Sequence, residues 1–200
     1  MTSISPVHIA SETPGDEVWT VERSVRANSI AVRAVALGAA VATLVSAIHP
    51  DVPVATAITI VALLPAVLVD VVARRLPNRL VGGAAVIGLA VTVMSLVAGA
   101  VLSPVAGLIG AAIISVPLFI AHLISPQSMG FGDVKFALVL GTAVGLVDPM
   151  TAVAALAVGS LGASVHGLCT RQRSIPFGPA LLGGAIATLA LVALGSSNWT

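Results

Sequence analysis

LVGGAAVIGLAVTVMSLVAGAVLSPVAGLIGAAIISVPLFIAHLI, residues 80–124, contains no Asp, Glu, Lys or Arg. A bilayer core about 30 Å thick is crossed by ~20 apolar helical residues at about 1.5 Å each. This run is therefore long enough to cross twice, and Ser103-Pro104 divides it into spans at 80–102 and 104–124. The same ruler, moved outward in both directions, finds further spans at 29–48, 53–73, 134–148, 150–168 and 179–196. The fifth and sixth of the seven are short and share a tight turn at Asp148-Pro149. The expected fold is all-α, a polytopic transmembrane helix bundle of about seven spans.

Composition excludes the soluble alternative. Apolar residues make up 58% of the 200 and charged residues 8%, with a mean hydropathy of +1.10. A soluble domain draws about a quarter of its residues from Asp, Glu, Lys and Arg. The net charge of +1 gathers into no basic stripe, so no nucleic-acid partner is expected. A lone cysteine, Cys169, excludes an intrachain disulfide and any multi-cysteine zinc site, and neither a metal nor a cofactor is expected. Residues 1–28 hold four of the eight acids and no apolar period; they read as a flexible cytoplasmic tail rather than a signal peptide. Residues 29–52 then carry an additional first transmembrane helix, and 53–196 the membrane core.

The cations set the orientation. Arg23, Arg26, Arg33, Arg74, Arg75, Arg79, Lys135, Arg171 and Arg173 all fall on one side of a seven-span chain, or within about a turn of it. Lys and Arg mark the cytoplasmic face, which places the N-terminus inside and the C-terminus outside. Asp51 and Asp148 fall on the other side.

Two acids lie at the membrane boundary, where an ionisable group is costly and by default functional. Asp70 closes the second span in DVVARRLPN (residues 70–78), and Asp133 opens the fifth in GFGDVK (residues 130–135). The two intervening spans, one out and one back, leave both carboxylates at one depth. Two adjacent carboxylates cannot both ionise, so they share a proton. The ionised member can deprotonate a water attacking a peptide carbonyl, while the protonated member serves as the acid. Gly130 and Gly132 suit such a site, because a backbone without Cβ approaches a substrate closely and tolerates positive φ.

GFGDVK and DVVARRLPN, with Ile175-Pro176-Phe177-Gly178-Pro179 before the last span, resemble in order and spacing the motifs of the type IV prepilin peptidases, which are GxGD intramembrane aspartic peptidases. The resemblance covers about residues 53–196. It implies Asp70 and Asp133 as the catalytic pair, with Gly130, Gly132, Lys135, Arg74, Pro77 and Asn78 shaping the site. It also implies a pilin-like precursor as substrate, bearing a short basic leader and a hydrophobic helix and cleaved after a Gly at the inner-membrane cytoplasmic face. Fuller members carry a cytosolic insert with paired CxxC motifs that is associated with N-methylation of the product. This chain lacks such an insert and looks like the short, peptidase-only form of Tad/Flp-type pilus systems.

Plainer readings stand beside these. Asp70 can pair with Arg74 one turn on, and Asp133 can simply cap the fifth span. Lys135 can depress a neighbouring carboxylate's pKa or snorkel to headgroups; Arg74, Arg75 and Arg79 can anchor the inner face. Pro176 and Pro179 fit the first turn of the last helix. His122 lies near the Gly130 loop, where packing competes with a site role. Gly141-x-x-x-Gly145 has the small-xxx-small spacing of close helix pairs. Alanine at 141 keeps that pattern, so Gly132 is expected to be the less tolerant glycine. Gly159-Ser160-Leu161-Gly162 misplaces the serine for a rhomboid-like site, and no His-Glu-x-x-His motif occurs. As whole-molecule functions, a small proton-coupled transporter and a catalytically inactive pilus-assembly protein remain alternatives to the peptidase.

Overall fold

The computed structural model describes residues 52–73, 76–126, 130–170 and 177–196. These form six helices and, among the described residues, no strand: α1 (Val54–Ala73), α2 (Asn78–Val97), α3 (Pro104–Ile124), α4 (Phe131–Gly145), α5 (Pro149–Thr170) and α6 (Phe177–Ser196). The expected first span at 29–48 and Arg74, Arg75, Arg171 and Arg173 lie outside the described residues.

Local chemistry sets several boundaries. Ser103 caps α3, its hydroxyl accepting from the Ala106 N–H at 3.2 Å, and Pro104 fills the first turn where no donor is needed. Asp148 does the same for α5: its Oδ2 accepts from the Met150 N–H at 2.8 Å, directly before Pro149. The end of α2 corrects the expected span 80–102. The helix stops at Val97, where Gly99 takes φ 86° and the N–H groups of Gly99 and Ala100 return to the carbonyls of Leu96 and Ser95. That double return is a Schellman stop, and it needs a left-handed residue that glycine supplies without strain. The residues beyond it are still apolar, which is why hydropathy runs past the turn. In the fifth expected span, 134–148, the helix sits three residues earlier, at Phe131–Gly145.

The short α4 is the axis of the bundle. It packs against all five other helices, which follow one another around it in the order α2, α1, α6, α5, α3. The ring is open between α2 and α3, which come nowhere within 8 Å of each other between Cα atoms. Phe136, Leu140 and Val144 of α4 are buried, whereas Val86, Leu108, Leu161 and Leu191 on the ring are about two-thirds exposed. An outer surface this apolar belongs in lipid. Helices α2, α3, α5 and α6 are each long and apolar enough to cross a membrane. The chain is a helical membrane protein.

Glycines bring the helices into backbone contact, the mode of packing favoured where lipid offers no hydrophobic drive. A Cβ on Gly110 would lie 2.5 Å from the Gly141 carbonyl oxygen, and one on Gly184 2.5 Å from the Ala155 carbonyl oxygen. At Gly88 the close neighbour is a side chain, the Thr59 hydroxyl, 2.7 Å from the Cβ position. Three antiparallel pairs result: α3 with α4, α5 with α6, and α1 with α2. Buried hydroxyls turn to backbone carbonyls, Thr59 to Ala55 and Thr188 to Gly184 within their helices and Thr56 across to Ala143 of α4 at 2.7 Å.

Gly141 overturns its expected tolerance. Its Cβ would meet the Gly110 carbonyl oxygen at 2.6 Å and the Ala111 Cα at 2.9 Å, both backbone, which cannot give without parting α3 from α4. The small-xxx-small pattern marks a real seam, but one too tight for alanine.

Candidate active site

One end of the bundle collects the residues singled out in the sequence. Asp70 sits in the last turn of α1, and Leu76 and Pro77 lead directly into α2, whose first residues are Asn78 and Arg79. The N-terminal turns of α4 and α6 arrive at the same place, as does the C-terminal turn of α3 with His122. Asp148, between α4 and α5, is at the other end.

Asp70 is 5% exposed, and its Oδ2 has no hydrogen-bond partner among the described residues. Such an orphaned buried oxygen calls for an explanation, because desolvation without a partner is costly. The Asp70–Arg74 ion pair considered from sequence involves a residue outside the described ones.

Asp133 is the third residue of α4. Its carboxylate accepts a hydrogen bond from the Gly130 backbone and lies within Coulombic reach of Asp70. The plain capping reading is thus met in altered form. Gly130 is the N-cap, with φ −70° and ψ 141°, and Asp133 reaches back to it from the third position, as in a capping box. Partly buried, Asp133 still opens to the surface at this end.

The left-handed backbone expected at these glycines is not what the structure shows. Among the described glycines only Gly99 has positive φ, so Gly130 and Gly132 are not there for left-handed backbone. Gly132 is there for closeness: its Cβ would lie 3.0 Å from the Leu76 Cβ and 3.5 Å from the Leu76 carbonyl oxygen. Gly130 is exposed, and its Cβ would stand 3.5 Å from the Asp133 Oδ2.

Lys135 donates from Nζ to the Asn78 Oδ1 at 3.1 Å and lies 5.0 Å from the centre of the Phe131 ring. The Phe131 ring in turn sits 5.5 Å from that of His122. Lys135 thus ties the start of α4 to the start of α2. Pro77 contributes its carbonyl, which accepts from the N–H groups of Leu80 and Val81 and starts α2.

Sequence reasoning passed over two residues here, Leu76 and Gly178. A Cβ on Gly178 would lie 3.1 Å from the Asp70 Oδ2, which sets the first turn of α6 against that carboxyl. Gly178 stood inside a quoted motif, but only its prolines received a reading. Among the described residues no group of three or more His, Cys, Asp or Glu could hold a metal ion.

Two carboxyl groups on separate helices, at one end of a lipid-facing bundle and within mutual electrostatic influence, can act together as acid and base. The sequence profile of the type IV leader peptidase family matches residues 57–170, a stretch from α1 through α5 that contains both aspartates. No curated relative and no solved structure matches the chain.

Proposed function

The chain belongs to the type IV leader peptidase family, and from that premise we propose that it is a membrane-embedded aspartic endopeptidase removing the short leader from pilin-like precursors. The observation that carries this reading is the placement of Asp70 and Asp133 at one end of the bundle within electrostatic reach, with one buried Asp70 oxygen that no described residue hydrogen-bonds.

The reaction follows from sharing one proton between two carboxyls. The ionised carboxylate takes a proton from a water molecule as its oxygen bonds to the scissile carbonyl carbon. The protonated carboxyl donates to the carbonyl oxygen, giving a neutral tetrahedral intermediate. In the collapse the first carboxyl, now protonated, gives its proton to the departing amine nitrogen as the C–N bond breaks, and the second, now ionised, takes one from a hydroxyl as the carbonyl re-forms. One water is consumed, and the pair ends as it began. The Gly130 backbone at the start of α4 hydrogen-bonds the Asp133 carboxylate and favours its ionised form.

We place this end at the cytoplasmic face of a bacterial inner membrane. Both cations among the described residues, Arg79 and Lys135, lie there, whereas Asp148 lies at the opposite end. With the apolar stretch 29–48 counted as a further span, the chain crosses seven times. Cleavage at that face suits a substrate whose leader is cytoplasmic and whose hydrophobic helix is in the bilayer.

The test is processing in a defined system. The purified protein, reconstituted in liposomes with a leader-bearing pilin precursor, is expected to release a shortened product whose new N-terminus follows the leader's last glycine. A precursor that stays intact, with the protein folded and inserted, would favour the inactive pilus-assembly alternative.

A further inference from the structure

Among the described residues nothing hydrogen-bonds to the buried Oδ2 of Asp70, whereas Asp133 has the Gly130 backbone. What the described residues offer the Asp70 oxygen is packing. The packing around it is specific. The Cβ position of Gly178 lies 3.1 Å from Oδ2, 3.9 Å from the Asp70 Cγ and 3.9 Å from the Leu76 Cδ1. The Cβ position of Gly132, next to Asp133, lies 3.0 Å from the Leu76 Cβ and 3.9 Å from the same Cδ1. One leucine side chain is therefore laid across the first turns of both α4 and α6, with a glycine beneath it on each.

We propose that Leu76, Gly132 and Gly178 form a joint that fixes the Asp70 carboxyl relative to Asp133, with Gly178 as its positioning residue. Gly178 lies beyond the stretch matched by the family profile, so the profile assigns it nothing. The proposal rests on the reading of Asp70 and Asp133 as the reactive pair. Its physical content is narrower. A methyl group at 178 would stand at a separation tighter than ordinary van der Waals contact with Oδ2. The carboxyl would have to move by a few tenths of an ångström, or α6 would have to withdraw. The first movement changes the spacing of the two acids, and in either case the new methyl stands beside an oxygen that no described residue hydrogen-bonds. Displacements of this size matter to a reacting group, whose rate depends on near-attack geometry.

Gly178→Ala is compared with Gly183→Ala, an α6 position whose Cβ meets nothing within 4 Å. In leader cleavage by reconstituted protein, Gly178→Ala is expected to lower kcat at least tenfold with KM within twofold, at unchanged membrane abundance. Gly183→Ala should stay within twofold of wild type in both. A second readout does not depend on cleavage. The infrared carboxyl band that Asp70→Asn removes reports the surroundings of the Asp70 carboxyl itself. Gly178→Ala should shift that band, and Gly183→Ala should not. Should Gly178→Ala fail to insert, Leu76→Val, which removes Cδ1 from the joint, is expected to show a smaller loss of kcat in the same direction. Unchanged kcat together with an unshifted band would overturn the joint. A wild-type protein that never cleaves, yet shows the shifted band with Gly178→Ala, would sink the peptidase reading and leave the joint standing.

Discussion

Lys135 shows how much of a side chain's surroundings its place in the sequence leaves unsaid. Its place two residues after Asp133 suggested either tuning of a carboxylate or snorkelling to headgroups. The structure adds that the ammonium donates to Asn78 at 3.1 Å and lies over Phe131, joining the starts of α2 and α4. Because this bond is near the surface, its worth is ~0.5–1.5 kcal/mol. Lys135→Met, Asn78→Ala and the double variant, unfolded in detergent, should give a coupling energy of about 1 kcal/mol or less with a stabilising sign. Strict additivity would mean the two side chains do not support each other. The two aspartates were legible because acids are rare in this chain, so each needed a reason to be there. Leu76 and Gly178 were not. One more leucine in a chain that is 58% apolar is no signal, and a glycine has meaning only once its neighbour is known.

The helices themselves were read well from apolar runs, because lipid imposes a length that hydropathy can measure. Their ends were read less well wherever a turn is as apolar as the helix before it. Ala98–Leu102 differs little in composition from Met94–Val97, and only the backbone of Gly99 separates them. The seams between helices were legible as patterns but not as tolerances. Gly141→Ala is now expected to be the damaging change, at a cost of ~1–3 kcal/mol, the usual penalty for overpacking. Gly162→Ala in α5, where the new methyl meets open space, should be neutral or stabilising, since alanine favours helix over glycine by roughly 0.5–1 kcal/mol. Thermal unfolding in detergent would check both. Equal melting temperatures for the two variants would show that α3 can slide off α4 at little cost.

At the scale of the molecule, the described helices form a shell around a helix of 15 residues, which at ~1.5 Å per residue is shorter than the bilayer core is thick. Shielded by its neighbours, α4 can connect the two ends without matching the full thickness of the bilayer core, and its first turn can present Asp133 at the bundle's end. The connections between described helices are short. None accommodates the paired-cysteine insert of the fuller prepilin peptidases, and the chain's one cysteine, Cys169, is exposed near the end of α5. Pilin processed by this protein alone is therefore expected to carry an unmethylated N-terminus. Mass spectrometry of the product would show this directly, and a gain of one methyl group would place methyl transfer in the core rather than in that insert.

The proposed chemistry depends on Asp70 and Asp133 acting as one unit. The most direct measurement is leader cleavage by Asp70→Asn and Asp133→Asn, each reconstituted at wild-type abundance and scored by the mass of the precursor. An amide is neither an acid nor a base at working pH, and a pair that shares one proton fails when either member is lost. Both variants are expected to leave the precursor at full length while remaining folded and inserted. Substantial release of the mature product by either one would contradict the account.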